Sequence, residues 1–113
     1  MLKVDLLIDK KLQILKELVV QGHALFDKKG RDIACASVSS LVYSSLLSFK
    51  KLNGLLLNDE DRDGKMKITL LEFDKRVQGE LRGITLMLVN GLLLVKERFQ
   101  ENIKIDIKEN IIF

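Results

Sequence analysis

A long helical pattern near the C-terminal end constrains the fold of this 113-residue chain most strongly. Between Asp74 and Phe99, apolar residues recur every three or four positions, which is the period of one helix face. The members of this stripe are Val77, Leu81, Ile84, Leu88, Leu92, Val95 and Phe99. The same stretch is also apolar on its other side, at Met87 and Leu94 and at the small residues Gly83 and Gly91. A helix that is apolar all round must be covered on both sides. We therefore expect a sheet against one side and a second copy of the chain, in a homodimer, against the other.

The N-terminal half predicts a β-hairpin followed by a helix. Leu2, Val4, Leu6 and Ile8 alternate with polar residues, and 12–20 alternates again after a turn at 9–11, so two paired strands are expected. Asp32 is a good N-cap residue, and helically spaced apolar residues follow it. These residues are Ala34, Val38, Leu41, Val42, Leu46 and Phe49.

The remaining segments predict three more strands. Residues 55–57 and 66–70 flank the polar sequence NDEDRDGK, which indicates a second hairpin with a longer loop. After the long helix, Ile103, Ile105 and Ile107 share one face of a short C-terminal strand. The order of elements predicts an α+β fold. Specifically, we expect one domain over residues 1–113: a two-layer sandwich of two helices on an antiparallel sheet made of two hairpins and the C-terminal strand.

Composition and charge exclude several classes of function. The content of 47% hydrophobic and 31% charged residues is that of a globular chain. A net charge of +3, with lysines scattered along the chain, gives no basic stripe for direct nucleic-acid binding. A single cysteine cannot form an internal disulfide, so we expect a reducing, cytoplasmic location. Serines interrupt the apolar run 33–49, and the run 84–95 is shorter than the ~20 residues of a membrane span, so no membrane partner is expected.

One segment imitates a calcium site. Residues 59–64, with Asp59, Asp61, Asp63 and Gly64, match the first half of an EF-hand loop. The twelfth position, which should be a bidentate glutamate, is Leu70, and the flanking segments read as strands. The segment is therefore interpreted as a hairpin turn. Because His23 and Cys35 are also too few ligands for a structural zinc site, we expect no metal and no cofactor.

The only histidine and the only cysteine lie at the two ends of a short charged segment, in the sequence GHALFDKKGRDIAC. The thiolate is the nucleophilic form of cysteine, and a free thiol titrates near pH ~8.5. If Asp32 is the N-cap, Cys35 is the third helical residue, where free backbone N–H groups and the helix dipole favour an anion. His23 ends the strand that leads into the segment. Its imidazole can take the thiol proton and return it to a leaving amine.

Neighbouring residues can assist this chemistry. Gly22 permits close approach beside His23, Gly30 offers a hinge in the segment 25–31, and Ser39 lies one helical turn beyond Cys35. A simpler interpretation is equally open: a lone cysteine in an apolar segment is most often a small buried hydrophobe, and a helical serine often bonds back to the carbonyl four residues earlier. Spacing alone does not decide between the two.

The residues themselves resemble a known signature. Gly22-His23-Ala24, then Gly30, then the run 32–36 (DIACA) followed by Ser39, resembles the motif of the ribosomal-processing cysteine protease (Prp) family, and the similarity extends over essentially the whole chain. The resemblance implies a cytoplasmic endopeptidase with Cys35 as nucleophile, His23 as base, Asp32 and Ser39 in support, and the segment 25–31 as a flap. It also implies a homodimer. The implied substrate is the N-terminal extension of protein twenty-seven of the bacterial large ribosomal subunit, cut after a pair of phenylalanines.

A function of another class fits the same sequence. The chain can be a non-catalytic ribosome-assembly module in which Cys35 only packs in the structure or senses oxidants. The two hypotheses differ in whether a leader peptide is cut, and in whether Cys35→Ala and His23→Ala both abolish the cut.

Overall fold

The computed structural model describes residues 1–22 and 31–113, with only the backbone described for Arg31 and Asp32. These residues form five strands and two α-helices, and a 3₁₀ turn (Lys75–Val77) precedes the second helix. In chain order the elements are β1 (Leu2–Asp9), β2 (Ile14–Gln21), α1 (Arg31–Lys50), β3 (Leu55–Arg62), β4 (Lys65–Phe73), α2 (Gln78–Arg98) and β5 (Ile103–Asn110). The predicted α+β class and order of elements are confirmed.

The sheet is mixed, whereas the sequence analysis predicted an antiparallel one. Its strand order is β3-β4-β2-β1-β5, and the first three neighbouring pairs are antiparallel. The pair β1 and β5 is parallel, with Leu2 opposite Ile103. Parallel neighbours need a crossover connection, and α2 supplies one by returning the chain to the end of the sheet where β1 begins.

One face of the sheet carries the core. Leu2, Val4, Leu6 and Ile8 of β1 are all buried on this face, and α1 and α2 cover it. Every predicted apolar position of α1 is buried or packs against the core. The alternation in β1 and the helical spacing in α1 therefore identified the two facing surfaces correctly, as the periods of the two elements require.

The apolar stripe of α2 is also as predicted, but its other side needs one correction. Met87 and Leu94 are exposed, as expected for a helix face that a second copy of the chain would cover. Gly91 instead faces α1, because a β-carbon built there would lie 2.6 Å from the Leu41 Cδ2 atom. The small residue thus serves close approach of the two helices. The homodimer stays a prediction.

The second hairpin is tighter than predicted. Arg62 pairs with Lys65, so the turn consists of Asp63 and Gly64 alone, with φ angles of 54° and 75°. An Asp-Gly pair with both φ values positive is the preferred two-residue hairpin turn, because its twist matches that of the strands. The strands therefore run through most of the acidic segment, and Asp59 and Asp61 belong to β3. Within residues 1–22 and 31–113, no cluster of three or more potential metal ligands occurs.

Helix α1 alone among the described elements has the length and apolar composition needed to cross a membrane, over Ile33–Lys50. A core helix of a globular domain meets the same criterion. Its apolar positions Val38, Val42 and Phe49 are buried in the core.

A buried carboxylate closes the end of the sheet opposite the start of β1. Asp9 is fully buried and accepts backbone hydrogen bonds from Leu12 at 2.7 Å and from Ile112 and Phe113 at 2.8 Å each. Burial is the largest single influence on this carboxyl and raises its pKa. The backbone N–H groups, led by that of Phe113, together outweigh burial, so the pKa lies below the ordinary 3.8.

We expect Asp9→Asn to destabilise the fold by about 1–3 kcal/mol at pH 7, because buried backbone donors lose a charged acceptor. A carboxyl with a lowered folded-state pKa contributes stability above its unfolded pKa and loses it as pH falls through the folded value. The difference in the free energy of unfolding between wild type and Asp9→Asn, measured by denaturant titration, should therefore decrease as the pH is lowered from 7 to 3. Asp5→Asn, four residues earlier in β1 and partly exposed beside Lys3, is the control and should change little. A difference in unfolding free energy that stays constant with pH would contradict the lowered pKa of Asp9.

Candidate active site

A cleft of about 200 Å³ opens between the N-terminal half of α1 and one end of the sheet. Its apolar lining comes from the start of β1, the end of β2, the start of β4 and one face of α1. The residues are Leu2, Val20, Met66, Val38 and Val42. Its other lining residues are Gly22, Cys35, Ser39, Tyr43, Asp61, Gly64 and Lys65. The cleft therefore has an apolar floor and a rim with polar and charged groups.

Cys35 lies on the helical wall of this cleft. Its side chain is half-buried and packs against the core, while part of it faces the opening. Cys35 is therefore not fully buried, although it packs against the core. A partly exposed thiol in a cleft meets the steric requirement for a nucleophile.

The start of α1 differs from the prediction. The helix begins at Arg31, so Asp32 is inside its first turn instead of at the cap position, and Cys35 is the fifth helical residue instead of the third. An aspartate favours a helix from within the first turn through the dipole as well as from the cap, so the residue type did not determine the starting position. Helical side chains lean toward the N-terminus, which still directs the Cys35 side chain toward the turn that carries the free N–H groups.

Ser39 lies one turn beyond Cys35, lines the cleft and is exposed. Its hydroxyl has no hydrogen-bond partner among the residues that the structure describes. By contrast, the Ser37 hydroxyl donates to the Ile33 carbonyl at 2.8 Å, and the Ser45 hydroxyl donates to the Leu41 carbonyl at 2.8 Å. Within the described part of the chain the Ser39 hydroxyl thus has no partner, and it does not bond back to the Cys35 carbonyl.

Gly22 directly follows β2 and lines the cleft. Its φ is +86°, and a β-carbon added there would lie 2.4 Å from the carbonyl oxygen of Met1. That distance is too short for any side chain, and the neighbouring atom belongs to the backbone. Glycine is therefore required at this position both by conformation and by contact.

Two predicted site residues, His23 and Gly30, lie outside the described residues, as does the segment 25–30 of the predicted flap. The structure therefore brings Gly22, Cys35 and Ser39 together in one cleft. The placement of the Asp32 side chain is likewise outside the described part of the chain.

Sequence reasoning missed three residues that line the cleft: Tyr43, Asp61 and Lys65. Tyr43 had a usable signal, because residues 35, 39 and 43 are four apart and fall near one helix face. Asp61 and Lys65 had none, since the acidic segment was interpreted as a loop and the sheet register could not be foreseen.

Fold and site together define a class of protein: an α+β domain with a partly exposed cysteine on its first helix, in a cleft, as a thiol-dependent enzyme requires. The family model for cysteine protease Prp matches residues 1–104, and the chain belongs to this family.

Named relatives and solved structures agree with this assignment. The chain is 34% identical over 56 residues to the ribosomal processing cysteine protease Prp of Mycoplasma pneumoniae, and 46% identical over 33 residues to that of Mycoplasma genitalium. These matches cover 50% and 29% of this chain, and they span only 55% and 33% of the relatives' own lengths.

The fold is similar to that of a Staphylococcus aureus ribosomal processing protease Prp in complex with a covalently linked product peptide. The TM-score is 0.78 at 23% identity, covering 96% of this chain and 100% of that one. A Streptococcus mutans protein gives a TM-score of 0.79 at 24% identity, with 97% and 96% coverage. At these identities the similarity establishes the fold.

Proposed function

We propose that this protein is a cysteine endopeptidase that removes the N-terminal extension of protein twenty-seven of the bacterial large ribosomal subunit, with Cys35 as nucleophile and His23 as base. The observation that carries the proposal is that Cys35 and Gly22 line the same cleft, and His23 follows Gly22 directly in the chain. Family membership supports the reaction class, and the names of the relatives support a role in ribosomal processing.

The proposed reaction has two steps. His23 takes the proton of the Cys35 thiol, and the sulfur attacks the carbonyl carbon of the scissile peptide bond. The carbon–nitrogen bond then breaks, His23 gives the proton to the leaving amine, and a thioester remains on Cys35. Water activated by His23 attacks the thioester and releases the new carboxylate and the thiol. Backbone N–H groups of the first turn of α1 can stabilise the oxyanion in each step.

The cleft suits the proposed cleavage motif. Its floor of Leu2, Val20, Val42 and Met66 is apolar, and aromatic side chains gain most from such a surface. An aromatic residue next to the scissile bond is therefore the side chain that we assign to this pocket. The polar rim leaves hydrogen-bond partners for the peptide backbone.

The homodimer belongs to the same proposal. Leu86, Met87 and Leu94 are exposed on α2, at 61%, 73% and 52%. A second copy of the chain covering this side removes an apolar surface from water. A ribosomal-protein substrate also implies that the enzyme acts in the cytoplasm.

The direct test is incubation of the purified chain with a synthetic peptide that spans the leader and the first residues of the mature protein. We expect one cut, after the second phenylalanine, identified by mass spectrometry of both fragments. A matched peptide with the two phenylalanines replaced by serine should stay intact. If the first peptide also stays intact while the chain binds ribosomes without it, the non-catalytic assembly module is the correct function.

A further inference from the structure

We infer that a bridge between Tyr43 and Asp61, at the far end of the cleft, forms the end wall of the substrate pocket. This wall limits the size of the side chain that the pocket accepts. The inference rests on the proposed function for the identity of the ligand as a peptide. The bridge itself is independent of the chemistry at Cys35.

The bridge is a hydrogen bond from the Tyr43 hydroxyl to the Asp61 carboxylate. Tyr43 lies two helical turns beyond Cys35 on the wall formed by α1, and Asp61 lies in β3, close to the hairpin turn. Both side chains line the cleft. The bond therefore joins the two walls across the end of the pocket that is remote from Cys35.

The wall of the cleft that the β3–β4 hairpin forms has few other links to α1. β3 is an edge strand, paired only with β4, and its residues beyond Leu57 are exposed. Among the described residues, one further side-chain link joins α1 to β3: the ion pair of Lys50 with Asp59 at 3.3 Å. Asp59 and Asp61 are two apart in a strand and so point to the same side, toward α1.

These two links have different positions relative to the pocket. Lys50 and Asp59 do not line the cleft, whereas Tyr43 and Asp61 do. Removing the Tyr43–Asp61 bond frees the end wall next to the apolar floor, while removing the ion pair loosens the same two elements away from it. The second change is therefore a matched control for the first.

The test compares the access of small and bulky reagents to Cys35. Iodoacetamide and N-(1-pyrenyl)maleimide are used to alkylate wild type, Tyr43→Phe, Asp61→Ala and the double variant. We expect the pyrenylmaleimide-to-iodoacetamide rate ratio to rise about fivefold in each single variant, the change that loss of one hydrogen bond allows. The double variant should show no further rise, because both substitutions remove the same bond. Lys50→Met should leave the ratio at the wild-type value.

A second arm measures specificity with two peptides that differ only in the residue before the scissile bond, phenylalanine in one and naphthylalanine in the other. We expect Tyr43→Phe to raise kcat/KM for the naphthylalanine peptide relative to the phenylalanine peptide by a similar factor. If wild type cuts neither peptide, the proposed function fails, and the alkylation ratios still decide the bridge. Unchanged ratios in both single variants, additive ratios in the double variant, or an equal rise in Lys50→Met each overturn the inference.

Discussion

Replacing Cys35 with alanine is expected to abolish leader cleavage, with a loss in kcat of at least about a thousandfold. The reason is that no other described group on the helical wall can form the acyl intermediate. Ser39 is exposed in the same cleft, but a serine hydroxyl is a much weaker nucleophile than a cysteine thiolate. Cleavage is measured as the initial rate of fragment appearance, with Ser44→Ala, an exposed serine on α1 outside the cleft, as the matched control.

His23→Ala separates the roles of the two residues. Loss of a general base costs roughly a hundredfold to ten-thousandfold, so a residual rate should remain. Alkylation of Cys35 by iodoacetamide at pH 7 should also be slower in this variant. Equal alkylation rates in wild type and His23→Ala, together with unchanged cleavage, would remove the proposed dyad.

Gly22→Ala is the second change with a large expected effect. The positive φ at this position costs a non-glycine residue about 1–3 kcal/mol. The new methyl group would also meet the Met1 carbonyl oxygen at 2.4 Å, so one of the two strand ends must move. Both ends line the cleft, and His23 follows directly in the chain. We therefore expect a loss of stability of at least about 2 kcal/mol, and a fall in kcat of at least tenfold, because a small misplacement of a catalytic group is costly.

Gly79→Ala is the control for this substitution. A β-carbon at Gly79 meets nothing within 4 Å, and the residue lies in the first turn of α2, where alanine favours the helix. Its stability should rise slightly and its activity should not change. Urea titration gives the free energy of unfolding of both variants, and fragment analysis gives kcat. If the Gly22→Ala variant is active and fully stable, the backbone conformation at Gly22 does not position the catalytic residues.

Local periodicity predicted the helices and strands of this fold well, whereas the pairing of the strands was predicted less well. The alternation in β1 and the stripe from Val77 to Phe99 determine which side of each element is buried, and they do so from neighbours within a few residues. The parallel pairing of β5 with β1 depends on where α2 delivers the chain, which no local pattern encodes. The tight turn at Asp63 and Gly64 did have a local signal, but the charged residues before it were given more weight.

The candidate site shows the same division. Cys35 and Gly22 were identified from residue type and spacing, and the structure places both in one cleft. Asp61 joins this cleft only because β3 extends through the acidic segment and lies alongside α1. That contact spans 18 residues of sequence, and it depends on the register of a hairpin whose length was mispredicted. The base His23 is still a prediction that the substitution experiments must test.

The parallel partnership of the first and last strands has a consequence for biosynthesis. Leu2 of β1 contributes to the cleft floor, and its backbone N–H donates to the Asn102 carbonyl at 3.0 Å, just before β5. A growing polypeptide on the ribosome exposes β1 long before β5 leaves the exit tunnel, so its first strand waits with one edge unpaired. We therefore expect the cleft to reach its final shape only after β5 has left the exit tunnel and paired with β1.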